Sequence, residues 1–151
     1  MSGGRGDAPG GRRSGYPPGL LAELVRLSEE SPDREACGFV ARGQDGELHL
    51  LPVPNVAERA GSAFRMDLPA QLAALSALAA RDGQVDAVYH SHVDADGRLS
   101  AQDRAEAVAG GVPLFPGADQ LVVGLRRGRV VEIRRYRWDG AEFVEVPLEA
   151  G

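Results

Sequence analysis

The sequence predicts an α/β fold built on a mixed β-sheet, mostly antiparallel, flanked by about three helices. Three observations carry that prediction. Apolar residues recur at helical spacing in separate blocks near 19–30 and 67–82, and short β-prone runs stand between and after those blocks in irregular alternation. The last strands are joined by hairpin signals such as Asp139-Gly140. Regular strand–helix alternation, the mark of a doubly wound parallel sheet, is missing. A chain of 151 residues suits one ordinary domain with its own core.

Residues 1–18 are rich in Gly, Pro and Arg and offer little to bury, so they are expected to form a disordered tail ahead of a single domain over 19–151. Leu20, Leu24 and Leu27, with Leu21 and Val25 alongside, mark a first helix over about 19–30 that Ser31-Pro32 stops. Ala36–Ala41 and Glu47–Val53 read as a hairpin around Gly43–Gly46, and Pro52, Pro54 and Asn55 end its second strand. Phe64–Met66 is a candidate short strand. Asp67 then caps a second helix with an apolar stripe of Leu68, Leu72, Leu75 and Leu78, closed by Asp82-Gly83. Val85–His92 carries no charge between Ala87 and His92 and reads as a central strand. After the loop 93–99, Ser100 opens a short Ala-rich third helix that ends at Gly110-Gly111. Beyond a Pro-containing loop at 112–118, Gln120–Leu125, Val130–Trp138 and Glu142–Val146 are strands.

Composition narrows the function classes. No apolar run is long enough to cross a bilayer, and the first residues lack the apolar core of a secretory signal, so the expected setting is the cytoplasm with no membrane partner. A net charge of −5 argues against a dedicated nucleic-acid binder. Cys37 is the only cysteine, which rules out an intramolecular disulfide and any multi-cysteine zinc site. A metal would have to be held by His and carboxylates. Six arginines, Arg126, Arg127, Arg129, Arg134, Arg135 and Arg137, crowd the C-terminal strands; they form either a basic strip for an acidic partner or a solvated strand face.

Side chains two apart on a strand share a face, so His90 and His92 project together while Ser91 projects oppositely. Alone, such a pair is also compatible with two ordinary part-buried imidazoles. A seven-residue loop then leads to Ser100-Ala101-Gln102-Asp103, whose helical first turn can face the strand end. Two histidines and a carboxylate suit one Zn²⁺ with a fourth position open to water, the arrangement of a catalytic site. Ser-x-x-Asp is also a capping box, and for Asp103 the two readings compete.

The pattern His90-Ser91-His92, seven residues, Ser100, two residues, Asp103, preceded by Glu35-Ala36-Cys37-Gly38, resembles the JAMM (MPN-plus) zinc metallopeptidases. That resemblance implies an MPN architecture of the cytidine-deaminase-like kind. It also implies His90, His92 and Asp103 as ligands of one zinc per chain, Glu35 as general acid/base, and Ser100 as a hydrogen-bond donor to the developing oxyanion. A carboxylate within reach of zinc-acidified water can take its proton and pass it to a departing amine, which suits Glu35 independently. Val93 departs from the pattern, standing where family members often have proline. Cys37 fits core packing better than nucleophilic work, and His49 fits an ordinary strand residue.

The activity implied is hydrolysis of a peptide or isopeptide bond after the C-terminal glycine of a ubiquitin-like protein. The small domain resembles compact bacterial-type members linked to ubiquitin-fold sulfur carriers, with the substrate tail laid along a sheet edge. Two other classes stay open: a non-catalytic MPN-type scaffold and a zinc hydrolase of small amides. A nucleobase deaminase lacks its P-C-x-x-C signature here, and H-E-x-x-H is absent.

Overall fold

A computed structural model of the chain describes residues 15–150. Ten strands and three helices follow in the order β1 (Gly15–Tyr16), α1 (Pro18–Glu30), β2 (Cys37–Arg42), β3 (Leu48–Val53), α2 (Leu68–Ala80), β4 (Gln84–His92), α3 (Ala101–Glu106), β5 (Val108–Ala109), β6 (Val112–Pro113), β7 (Asp119–Arg126), β8 (Arg129–Trp138), β9 (Phe143–Val146) and β10 (Glu149–Ala150). The main sheet has six strands in the order β3-β2-β4-β7-β8-β9. Every neighbouring pair is antiparallel except β4 and β7, so the sheet is mixed and mostly antiparallel, with β4 in its interior.

Strand alternation assigns the two faces. Val40, Ala87, Tyr89, Leu121 and Val123 meet Leu20 and Leu24 of α1 on one side. Phe39, Val88, Ala70 and Leu75 pack together on the other, where α2 lies. His90 and His92 share the Val88 face and therefore look toward α2 and α3. Gly38 sits where strands press closest: a Cβ there would stand 2.4 Å from the Leu51 carbonyl oxygen and 2.7 Å from the Tyr89 hydroxyl.

Four expectations need correcting or bounding. Of the predicted tail 1–18, residues 1–14 lie outside the described residues, but Gly15–Tyr16 is a strand paired in parallel with β10 and Tyr16 is buried. Its hydroxyl donates to Asp86 Oδ2 at 3.0 Å, and its ring lies 4.9 Å from the Arg135 guanidinium carbon. One aromatic residue with two distant partners anchors a stretch whose composition otherwise gives it nothing to bury.

The stripe drawn along α2 is only half right. Leu68 and Leu72 are 60% and 56% exposed, while Ala70 and Leu75 make the core contacts. Leu and Ala recur almost all round this helix, so periodicity could not choose the buried face.

The third helix stops at Glu106, earlier than expected. Gly110 and Gly111, with φ of 62° and 83°, form the turn of a small β5–β6 hairpin, a conformation that two successive glycines supply without strain.

The six arginines do not form one strip. Arg135 is 1% exposed and ion-paired to Asp119 at 2.7 Å, which also receives Arg137 at 3.1 Å. Arg134 lies on the opposite face of β8, paired with Glu132 at 2.9 Å. Alternation along β8 put Arg135 and Arg137 on a charge network around Asp119 and Arg134 on the other face, while Arg126, Arg127 and Arg129 stand at the β7–β8 turn.

Candidate metal centre

The parallel step between β4 and β7 brings the end of β4 beneath α3, and three ligand-type atoms converge there. His90 Nε2 and His92 Nε2 lie 3.2 Å apart; Asp103 Oδ2 is 3.2 Å from the first and 3.1 Å from the second. The three residues form a group able to hold a metal ion. His92 Nδ1 lies 2.7 Å from the Asp96 carbonyl oxygen, so that nitrogen carries the proton and Nε2 presents its lone pair to the group.

The competition over Asp103 is resolved by one oxygen. The capping box is complete: Ser100 Oγ accepts from the Asp103 N–H, and Asp103 Oδ2 accepts from the Ser100 N–H, both at 3.0 Å. That same Oδ2 faces both imidazoles, so capping aims the carboxylate at the group instead of withdrawing it. Burial acts to raise the Asp103 pKa, but the two imidazoles beside it and the Ser100 N–H outweigh it and hold the carboxyl far below the usual range. Burial pulls His90 down, favouring the neutral imidazole that a metal requires. Burial also acts to lower His92, but the Asp103 carboxylate and the Asp96 carbonyl, which favour its charged form, carry it upward.

The donor set fits zinc on its own geometry. Ligands about 2.0–2.1 Å from a tetrahedral ion stand roughly 3.3 Å from one another, close to the spacing of these three atoms. Without an ion, two imidazole nitrogens and a carboxylate oxygen crowd together with too few protons to satisfy them.

Glu35 lies just ahead of β2, lining a cleft of about 340 Å³ with His92, Ser100, Asp103 and Ser62. It is 6% exposed, and its Oε1 has no hydrogen-bond partner among the described residues. Burial raises its pKa to about 7, opposed by His92 and reinforced by Asp103 and Glu106. All five residues singled out from the sequence thus meet in one place.

The remaining candidates stay out of the chemistry. Cys37 is buried, its Sγ 3.3 Å from the Val53 carbonyl oxygen, and burial pushes its thiol up to about 12, leaving no thiolate at neutral pH. His49 is exposed beside Glu47. Val93 lies in a loop tied down by other means: the Gly97 N–H donates to Glu132, the Ala95 N–H to the Leu125 carbonyl, and Tyr136 bonds both Gly97 and Leu99.

Sequence reasoning missed three supporting residues. Ser91 Oγ accepts from the Ala36 N–H at 2.7 Å, pinning the residue after Glu35 to β4. Buried Asn55 bonds the Glu35 carbonyl, and Phe64 stacks on the His90 ring with centroids 4.6 Å apart. The Pro-Asn dipeptide was legible as a turn; its partners, far along the chain, were not.

Residues 17–139 match the family described as prokaryotic homologs of the JAB domain. A probable TtuB-protein conjugate cleaving protease of Thermus thermophilus is 36% identical over 110 residues, covering 70% of this chain and 73% of that protein. A desampylase of Haloferax volcanii is 30% identical over 131 residues, covering 85% and 87%. The solution structure of a protein from Desulfitobacterium hafniense superposes with a TM-score of 0.67 at 21% identity, covering 91% of this chain and 93% of that one, which shows a shared fold. With the matched span taking in β2 through β8 and every residue of the site, the chain belongs to the prokaryotic JAB-domain family of compact JAMM/MPN proteins.

Proposed function

We propose that the chain is a zinc-dependent hydrolase that cleaves the peptide or isopeptide bond after the C-terminal glycine of a ubiquitin-like or sulfur-carrier protein. One observation carries the reading: a buried glutamate with an unpartnered oxygen and a pKa near 7 shares a cleft with a His–His–Asp group. The names of the two relatives, a conjugate-cleaving protease and a desampylase, supply the substrate class. The proposed setting is the cytoplasm; no helix among the described residues is long and apolar enough to cross a membrane.

His90, His92 and Asp103 would hold one zinc per chain. When bound there, zinc acidifies water and polarises a carbonyl. Glu35 takes the proton of the attacking water, since a base with a pKa near the working pH accepts it and can release it again. It then hands that proton to the departing amine. Ser100 Oγ already accepts from the Asp103 N–H, so its own O–H remains to donate to the carbonyl oxygen as negative charge develops. The substrate's extended tail would lie along a free sheet edge; β3, two strands from β4, is nearer the site than β9.

The test is to incubate the zinc-loaded protein with ubiquitin-like proteins extended beyond Gly-Gly and read the products by mass. Cleavage directly after the glycine is expected. A zinc-retaining protein that cleaves none of them would overturn this reading in favour of an MPN-type scaffold or a zinc hydrolase of small amides.

A further inference from the structure

The two histidines of the group are held in different ways. His92 has the usual outer partner, with its second ring nitrogen 2.7 Å from the Asp96 carbonyl oxygen. His90 has none: its Nδ1 is buried and without a hydrogen-bond partner among the described residues. A metal-ligating imidazole normally needs such a bond to fix its rotation about the strand. Against His90 lies instead the face of Phe64, at 4.6 Å between centroids and 23° between planes.

Phe64 is delivered by the segment 56–65, and Asn55 organises that segment. Its Nδ2 donates to the Ala63 carbonyl at 3.0 Å, to the Glu35 carbonyl at 2.9 Å and more weakly to Ala60 at 3.4 Å. Its Oδ1 accepts from the Ala57 and Arg65 N–H groups, each at 3.0 Å. Both chain neighbours of Phe64 are therefore tied to one side chain. The Glu35 N–H also donates to the Ala60 carbonyl at 2.6 Å, so the same loop holds the glutamate's main chain from both sides.

We propose that Asn55 and Phe64 are positioning residues of the metal centre: Asn55 fixes the Glu35 main chain and seats Phe64 on His90, and the stacked ring replaces the missing outer hydrogen bond of that ligand. This rests on the zinc reading above. A satisfied buried amide with five partners is well suited to the task, because removing its donors takes the side-chain partner from the Glu35 and Ala63 carbonyls, while the Ala60 carbonyl keeps the Glu35 N–H. Aromatic stacking fixes a ring plane as a hydrogen bond fixes a ring nitrogen.

The test measures zinc affinity of the full chain by competition with a chelator, with no substrate present. Phe64→Leu should weaken binding about 10- to 100-fold, the usual effect of removing an outer partner, while Phe64→Tyr, which keeps the ring, should stay near the parent. Asn55→Asp, equal in size but without the amide donors, should weaken zinc similarly and lower kcat more than it raises KM. If Asn55→Asp fails to fold, the Phe64 pair decides alone. Phe64→Leu binding zinc as tightly as the parent, with only a lower melting temperature, would make Phe64 a packing residue and overturn the proposal. A parent chain that takes up no zinc would instead remove the metal reading, and this one with it.

Discussion

Glu35→Gln separates metal binding from chemistry, and it should move activity and stability in opposite directions. Glutamine keeps the size of the side chain and can still hydrogen-bond water, but it cannot accept a proton. Turnover should fall by about 10² to 10⁴, the usual worth of a general base, with zinc content unchanged. The stability effect follows from burial. In the zinc-free chain the Glu35 carboxyl has its pKa raised from 4.5 to about 7, so the folded state favours the protonated form. A group raised on folding contributes stability that is present below its unfolded pKa and lost as pH rises through the folded one. Between about pH 4.5 and 7 the parent should therefore lose stability that Glu35→Gln does not. At about 1.4 kcal/mol per pKa unit the whole effect is at most roughly 3 to 4 kcal/mol, and water entering the cleft reduces it. Urea unfolding of both zinc-free proteins at pH 5 and pH 8 measures the difference. A variant that cleaves as fast as the parent, or that is less stable at pH 8 by the same margin as at pH 5, would refute the reasoning.

Asp103→Ala should lose zinc by elemental analysis and also weaken the start of α3, since capping contributes about 1 kcal/mol. Retention of zinc would return Asp103 to a capping role alone. Ser100→Ala should keep zinc, lose about 0.5–2 kcal/mol in chemical denaturation, and slow turnover less than Glu35→Gln does. Asp119→Ala removes the carboxylate paired with buried Arg135 and should cost about 3–5 kcal/mol in urea unfolding while the folded protein still takes up zinc. Gly38→Ala drives a methyl group into the Leu51 carbonyl and the Tyr89 ring and should lower the melting temperature by an amount equivalent to about 1–3 kcal/mol.

The grouping of the candidate site residues was more legible than the packing, for a physical reason. His90 and His92 sit on a strand whose period of two is a local rule, and Asp103 follows from a helix start that announces itself through Ser100. Local rules survive folding. The face of α2 did not follow, because a helix apolar nearly all round takes its orientation from what it meets. Tyr16, Asp86, Asp119 and Arg135 form a network across the chain, and no spacing in the sequence could pair them. Asn55 was visible only as a turn residue, although its amide holds the main chain of Glu35. The Gly110-Gly111 pair was read as a helix stop when its positive φ angles serve a hairpin, two uses of glycine that composition alone does not distinguish.

Asp103 Oδ2 is at once a helix cap and one of the three atoms of the His–His–Asp group, and under the proposed zinc reading this would tie the integrity of α3 to the concentration of free zinc. The helix has six residues, none fully buried, so little besides its capped first turn and the Arg104 side chain holds it in place. An ion that binds only when that turn is formed stabilises it by mass action, by about 2.7 kcal/mol at a free concentration one hundred times its dissociation constant. Where zinc is scarce, the same linkage runs backwards: α3 is the first element expected to exchange its amide hydrogens, and the cleft it walls would open before the sheet beneath it loosens.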